Sequence, residues 1–175
     1  DYSAPAYHLT LLLLHVANTL LVGVFASSLS RKPAFGWLAA ILFTTFPLNN
    51  EAVSEVDALC HPLLVFWALL ALICYERGRR TGNRVTLWAV HPIVLLALLT
   101  HENALTIPVL LLVMEVLFYP VRSIRDFIRR PALQYFVLPV LFVFWWLRIP
   151  KGATQAPHAL DAILRNTLPF LQLLA

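Results

Sequence analysis

The stretch LTLLLLHVANTLLVGVFASSL, residues 9–29, decides the fold class of this chain. It runs for 21 residues without a charged side chain, which is long enough to cross a hydrocarbon core of about 30 Å as a helix. A signal peptide is the rival interpretation. The run is longer than a typical signal core of roughly 7–15 residues, and no basic leader precedes it. Arg31 and Lys32 follow the run instead, and we therefore predict a transmembrane helix.

The composition of the whole chain supports the same interpretation. Of its 175 residues, 60% are hydrophobic and only 13% are charged, and the mean hydropathy is +0.77. Soluble domains are near 45–50% apolar and about 25% charged. The composition therefore excludes an ordinary soluble globule, a disordered tail and a compact secreted module. We predict an all-α integral membrane protein in which membrane lipids are the main surroundings.

Five further apolar runs follow the first one. They occupy residues 34–48, 62–75, 85–100, 104–119 and 132–149. We predict about six transmembrane helices in a single domain over residues 1–175, with short connections between them. A last apolar stretch at 168–175 resembles the start of a truncated seventh helix. Since position 1 is not Met, we expect a processed or partial polypeptide.

The basic residues predict the orientation of these helices. Ten of the thirteen Lys and Arg residues lie in the connections after the first, third and fifth runs. The two intervening connections contain acidic residues and no Lys or Arg. Cytoplasmic connections carry the Lys and Arg excess, so the N-terminus is predicted to lie outside, and an earlier segment is expected before Asp1. The net charge of +4 comes from these connections, and we predict no nucleic-acid partner.

Two glutamates in the acidic connections are the candidate catalytic residues. Glu51 and Glu102 each follow a short apolar run at the predicted outer face, and a carboxylate there is retained only if it is solvated, paired or used. We expect them to approach each other in a cavity that opens outward and could bind a cation, a sugar hydroxyl or a metal. The neighbouring Asn50, His101 and Asn103 are candidate binding residues. The alternative is that both glutamates simply cap the following helices.

The densest acidic cluster lies in the first of these connections. Glu51 and Glu55 are spaced to share one helix face, and Asp57 follows them. Such carboxylates can bind a divalent ion or do acid–base chemistry, although a solvated polar face explains them equally well. Residues 51–60 are predicted to form a short interfacial helix or re-entrant turn. The sequence contains no phosphate-binding loop and no zinc-ligand spacing, and we expect no cofactor and assign no metal ligand.

Four short strings resemble a known family. They are YHL at 7–9, LLHVAN at 13–18, FPLNNEAV at 46–53 and HENALTIP at 101–108. Together they resemble the membrane glycosyltransferases of the GT-C superfamily over residues 5–120, and most closely the transmembrane and tetratricopeptide-repeat O-mannosyltransferases and their bacterial relatives. The resemblance implies a polytopic helical protein of a bacterial inner membrane. It also implies a polyprenyl-phosphate sugar bound at the outer face and a catalytic acidic residue in the first outer loop.

The sequence departs from this family in ways that affect the predicted function. The catalytic loop would precede the first run, where Asp1 is the only acidic residue, and no Arg follows Glu51 in its connection. His101 stands where the family often has a basic residue, and no tetratricopeptide repeat follows. We therefore predict a GT-C-like bundle that is not catalytic by itself. An accessory transmembrane subunit of a larger complex, such as an electron-transfer complex, is the alternative. A small transporter is a third hypothesis, with no recognised charge pair within the membrane to support it.

Overall fold

The computed structural model describes residues 4–46, 59–119, 123, 128 and 130–148. Every regular element in these residues is helical, and no strand occurs among them, so the predicted all-α class is confirmed. The chain divides into two compact units, Asp1–Val140 and Leu141–Ala175. Of the second unit, the structure describes only residues 141–148.

The first two helices form an antiparallel hairpin. Helix α1 spans Ala4–Ser30 and helix α2 spans Pro33–Thr45. The chain turns at Arg31, which has a left-handed backbone with φ of 57°, and Pro33 suits the first turn of α2 because its ring fixes a helical φ. Phe46 is extended, as expected for a residue that precedes a proline.

The α1–α2 hairpin is closed by small residues. Gly36 is buried, and a Cβ built on it would lie 2.5 Å from the carbonyl oxygen of Gly23 and would also clash with Ser27. Only a glycine allows the two backbones to approach this closely. Such small-residue contacts are common where helices pack in membranes.

A second antiparallel hairpin follows. Helix α3 spans Cys60–Thr81 and ends at Gly82, which adopts the left-handed conformation with φ of 69°. Asn83 then caps helix α4, Arg84–Thr100, because its Oδ1 accepts hydrogen bonds from the amides of Val85 at 2.9 Å and Thr86 at 3.4 Å. Glycine followed by a capping asparagine gives the chain a sharp reversal.

The remaining described helices are shorter. A 3₁₀ turn at Glu102–Leu105 leads into helix α5, Thr106–Phe118. Helix α6 spans Pro131–Gln134 and helix α7 spans Val137–Arg148. The apolar run predicted as one helix over 132–149 is therefore interrupted at residues 135–136. The core of the first unit lies where α3, α4 and α5 meet, and its fully buried residues include Ala71, Tyr75, Val90, Val94 and Leu111.

The helix lengths bear on the predicted membrane spans. Among the described residues, Ala6–Ser30 and Cys60–Thr81 are long and apolar enough to cross a membrane. Pro33–Thr45 and Arg84–Thr100 are shorter apolar helices, and Pro131–Trp145 is a shorter apolar segment that comprises α6 and most of α7. The prediction of six spans therefore stays a prediction. Of the proposed interfacial segment at 51–60, the structure describes only positions 59 and 60. The rest of this prediction lies outside the described residues. The proposed seventh helix at 168–175 also lies outside them.

One boundary prediction is wrong. Arg77, Arg79 and Arg80 were expected in the connection after the third run, but they occupy the last turns of α3. Lys and Arg are good helix formers, and their charge is favourable near the C-terminus of a helix. The helix therefore continues past the apolar run until Gly82 ends it.

Candidate functional site

The described part of the first unit has two ends that differ in chemistry. We call the end that contains Arg79, Arg80 and Arg31 the arginine end. We call the end that contains Cys60, His61 and His101 the histidine end. Within the described residues, the α1–α2 and α3–α4 turns lie at the arginine end, and the connection from α4 to α5 lies at the histidine end. The predicted alternation of basic and acidic connections stays a prediction.

Of the residues predicted to form a site, the structure describes His101, Glu102 and Asn103. The other four lie outside the described residues: Asn50, Glu51, Glu55 and Asp57. The predicted approach of Glu51 to Glu102 therefore also lies outside them. The three described residues lie at the histidine end, between α4 and α5. They begin the segment that leads into α5.

These three residues differ in their surroundings. The Nδ1 atom of His101 accepts a hydrogen bond from the backbone amide of Asn103 at 3.1 Å, and the carbonyl of Asn103 accepts one from the hydroxyl of Thr106 at 2.8 Å. The side chain that caps the 3₁₀ turn therefore belongs to His101 and not to Glu102. Glu102 is exposed, and no hydrogen bond or ion pair of its carboxylate is found within the described ranges.

A cluster of metal-ligating side chains surrounds His101. Its ring lies 5.1 Å from that of His61, measured between ring centroids, and ligand atoms of Cys60, His61 and His101 all lie within 4.8 Å of one another. The start of α3 is fixed from α1, because the buried Asn18 donates from Nδ2 to the carbonyl of Pro62 at 2.8 Å. Sequence reasoning missed this cluster because 40 residues separate its two halves.

The arginine end contains a buried ionic network centred on Glu115. Arg79 binds this carboxylate through two nitrogens, with Nη2 2.7 Å from Oε1 and Nε 3.0 Å from Oε2. The Nη1 atom of Arg130 lies 2.6 Å from Oε1, and the phenol of Tyr75 donates to Oε2. Arg130 also donates to the carbonyl of Tyr119 at 3.0 Å. The network thus connects α3, α5 and the chain just before α6.

The geometry of this network indicates a structural role. Glu115 is 0% exposed, and its two oxygens accept four hydrogen bonds. A carboxylate offers about four lone-pair sites, so little capacity remains to take a proton from a substrate. Sequence reasoning missed Glu115 as well, although it is the only acidic residue within the apolar run at 104–119. Glu115 thus forms buried ion pairs with Arg79 and Arg130, but they lie at the arginine end, so the prediction that no charge pair lies in the middle of the membrane stays a prediction.

A second polar cluster lies beside this network. Glu76 accepts a hydrogen bond from Ser28 at 2.5 Å and lies 3.7 Å from Arg80. The guanidinium of Arg79 lies 4.7 Å from the centre of the Tyr119 ring. A cavity of about 290 Å³ opens here, and its lining includes Arg31, Arg79 and Arg80. The excess of guanidinium groups would suit an anion.

An aromatic cluster borders the same end. His91 stacks on Trp88, with 5.0 Å between ring centroids, and lies 4.7 Å from Tyr135. The phenol of Tyr135 donates to the carbonyl of Leu87 at 2.8 Å. The Nδ1 atom of His91 is buried without a hydrogen-bond partner in the described part of the chain. These rings line a cavity of about 300 Å³.

Comparison with known proteins does not assign a function to these clusters. No protein family, curated protein or solved structure matches the chain significantly. The function must therefore be inferred from the residues and contacts described above.

Proposed function

We propose that the chain is a membrane-embedded helical bundle that resembles part of a GT-C polyprenyl-phosphate-sugar glycosyltransferase and has no transfer activity by itself. Membrane embedding is supported mainly by the many large apolar side chains that are exposed on the surface of the protein. Trp37 is 72% exposed, Leu99 is 70% exposed, and comparable residues cover α1 and α5. Contiguous apolar surface of this kind is costly in water and favourable in lipid.

The burial pattern argues against a soluble core helix and a removable signal peptide. Only 11% of the apolar window in α1 and 22% of that in α3 are buried within the protein, whereas the core helix of a soluble protein is mostly buried. Two side chains of α1 also donate hydrogen bonds to α3: Asn18 to the carbonyl of Pro62, and Ser28 to the carboxylate of Glu76. Removing α1 would leave those partners without their hydrogen bonds.

The charge distribution supports the proposed orientation. Arg31, Lys32 and the arginines of α3 all lie at the arginine end, and no Lys or Arg occurs between Lys32 and Arg77 or between Arg84 and Arg122. Under the positive-inside rule the arginine end faces the cytoplasm. The histidine end and the N-terminus then lie outside, in a plasma membrane.

The GT-C part of the proposal rests on the four matched strings. The structure gives two of the matched residues packing roles, since Asn18 links α1 to α3 and His101 caps the turn before α5. A polyprenyl-phosphate sugar would bind at the outer, histidine end. Transfer from such a donor builds negative charge on the leaving phosphate, and cations must stabilise that charge. The two acidic connections supply no Lys or Arg, and the outer side has only Arg148 and Lys151 after the sixth run. This shortage of cations supports a bundle without activity of its own.

Two measurements test this function. The chain expressed in bacterial membranes should resist alkaline carbonate extraction and should need detergent for release. The purified chain, mixed with labelled undecaprenyl- and dolichyl-phosphate sugars and candidate acceptors, should give no turnover. Turnover that is lost in Glu102→Gln and retained in His8→Gln, an exposed control, would identify an enzyme. Release by carbonate alone would contradict membrane embedding.

An accessory subunit is the second candidate, and one groove favours it. A cavity of about 350 Å³ runs along the α1–α2 hairpin, and its lining includes Gly23, Gly36, Ala40 and Trp37. Small residues allow another helix to approach closely. A photo-crosslinker in place of Trp37 tests this in native membranes. One discrete protein adduct would support a subunit, and adducts with lipid alone would favour the first candidate.

A further inference from the structure

We propose that Cys60, His61 and His101 form a binding site for a transition-metal ion of the zinc type. The three side chains come from the start of α3 and the end of α4, which are separate in sequence. Their ligand atoms lie within 4.8 Å of one another. One thiolate and two imidazoles are the donors that zinc prefers, and hard ions such as Mg²⁺ and Ca²⁺ prefer oxygen.

Zinc binding requires the three ligand atoms to move only slightly closer together. In a tetrahedral site with zinc–sulfur and zinc–nitrogen bonds of about 2.3 and 2.0–2.1 Å, neighbouring ligand atoms are about 3.3–3.6 Å apart. The three ligand atoms must therefore approach by about an ångström. Rotation about the side-chain bonds can supply this, because His61 is exposed and Cys60 is only half-buried.

The backbone around the site is already held in place. The hydrogen bond from Asn18 to the carbonyl of Pro62 fixes the first turn of α3. The amide of His101 donates to the carbonyl of Ala97 at 3.0 Å, which fixes the end of α4. These two bonds hold the backbone segments that carry the three ligand side chains. Three protein ligands leave one position of a tetrahedral ion open.

Metal binding must change the hydrogen bonding of His101. Its Nδ1 atom accepts a hydrogen bond from the amide of Asn103, so the neutral ring carries its proton on Nε2. A metal at Nε2 requires the proton to move to Nδ1, and a metal at Nδ1 takes the accepting lone pair itself. Either way the hydrogen bond from Asn103 is lost. Binding also releases the thiol proton of Cys60, so the affinity rises with pH.

Cobalt substitution provides the direct test. The full chain is purified in detergent under reducing conditions, its affinity tag is removed, and Co²⁺ is added. We expect thiolate-to-cobalt charge-transfer absorption and the strong visible bands of tetrahedral cobalt at one equivalent, and we expect Zn²⁺ to abolish both. Hydrogen exchange at the Asn103 amide should become faster when Zn²⁺ is bound.

Matched variants make the test specific. Cys60→Ser should abolish the charge-transfer band, whereas Cys74→Ser, a cysteine on the same helix outside the cluster, should retain it. His61→Gln should weaken cobalt binding by more than the roughly 10–100-fold typical of losing an outer contact, and His8→Gln should not. His61 is exposed, so its variant should fold, and circular dichroism verifies this. Absence of the bands in the unmodified chain, or their persistence in both Cys60→Ser and His61→Gln, would overturn the proposal.

Discussion

At the scale of single residues, Glu115 has the most demanding environment in the described part of the chain. It is completely buried and lies between two arginines and a phenol. A buried ion pair gives little net stability over an apolar equivalent, because both charges must be desolvated. Removing one member is costly all the same, since the remaining charge has lost its partner.

Replacing Glu115 by Gln should therefore destabilise the protein. We expect a loss of about 3 kcal/mol, the lower end of the range for breaking a buried pair, because Arg79 keeps some contact with solvent. Thermal unfolding in detergent measures this effect. The control is Glu102→Gln, which changes an exposed carboxylate. This variant should unfold at the same temperature as the unmodified chain. Equal unfolding of the two variants would contradict the structural role of Glu115.

Asn18 makes the clearest polar contact between α1 and α3. Replacement by Ala removes the hydrogen bond to the carbonyl of Pro62 and should cost about 0.6–2 kcal/mol, the range for hydrogen bonds between membrane helices. Thr10→Ala is the control, because the Thr10 hydroxyl is exposed and donates to the carbonyl of Ala6 in its own helix. Unfolding by added denaturing detergent compares the two. A Thr10→Ala effect as large as that of Asn18→Ala would be inconsistent with a role for this link.

Single residues are also where sequence reasoning was least informative. Glu102 stood out because it follows an apolar run, yet its side chain is exposed, and the capping is done by His101. Glu115 and Cys60 were missed because their significance depends on Arg130, Tyr75 and His101, which come from other helices. The spacing of residues along one segment shows which side chains are neighbours on the same helix. It carries no information on which helices meet.

At the scale of elements, the small-residue contact between α1 and α2 gives the sharpest expectation. Gly36→Ala places a methyl group 2.5 Å from the carbonyl oxygen of Gly23, whereas Gly23→Ala places one 3.3 Å from that of Gly36. We expect Gly36→Ala to lower the free energy of unfolding by the roughly 1–3 kcal/mol typical of overpacking, and Gly23→Ala to lower it less. Thermal unfolding in detergent measures both effects. A reversed order would show that α1 and α2 do not pack as described.

The elements themselves were well predicted where apolar length decides them. The first run became α1, extended by a few residues at its ends, because nothing near it breaks a helix. Prediction was poorer where the apolar run ends before the helix does. Helix α3 continues through Glu76 and three arginines to Gly82, and hydropathy cannot detect an end that a left-handed glycine sets.

At the scale of the whole molecule, the proposed orientation is testable with two exposed positions at opposite ends. Lys32→Cys and Glu102→Cys replace exposed side chains, in a background with Cys60→Ser and Cys74→Ser. A membrane-impermeant maleimide applied to intact cells should label position 102 and should label position 32 only after the cells are opened. Labelling of position 32 from outside would reverse the proposed orientation.

The order in which the chain is synthesised gives the Glu115 network a further consequence. Arg79 precedes Glu115 by 36 residues and Arg130 follows it by 15. When the segment that contains Glu115 leaves the ribosome, one of its two cationic partners has already emerged and the other is still being made. If the chain enters a membrane as proposed, the segment with Glu115 would meet an α3 that already carries Arg79, whereas Arg130 would reach the carboxylate only afterwards.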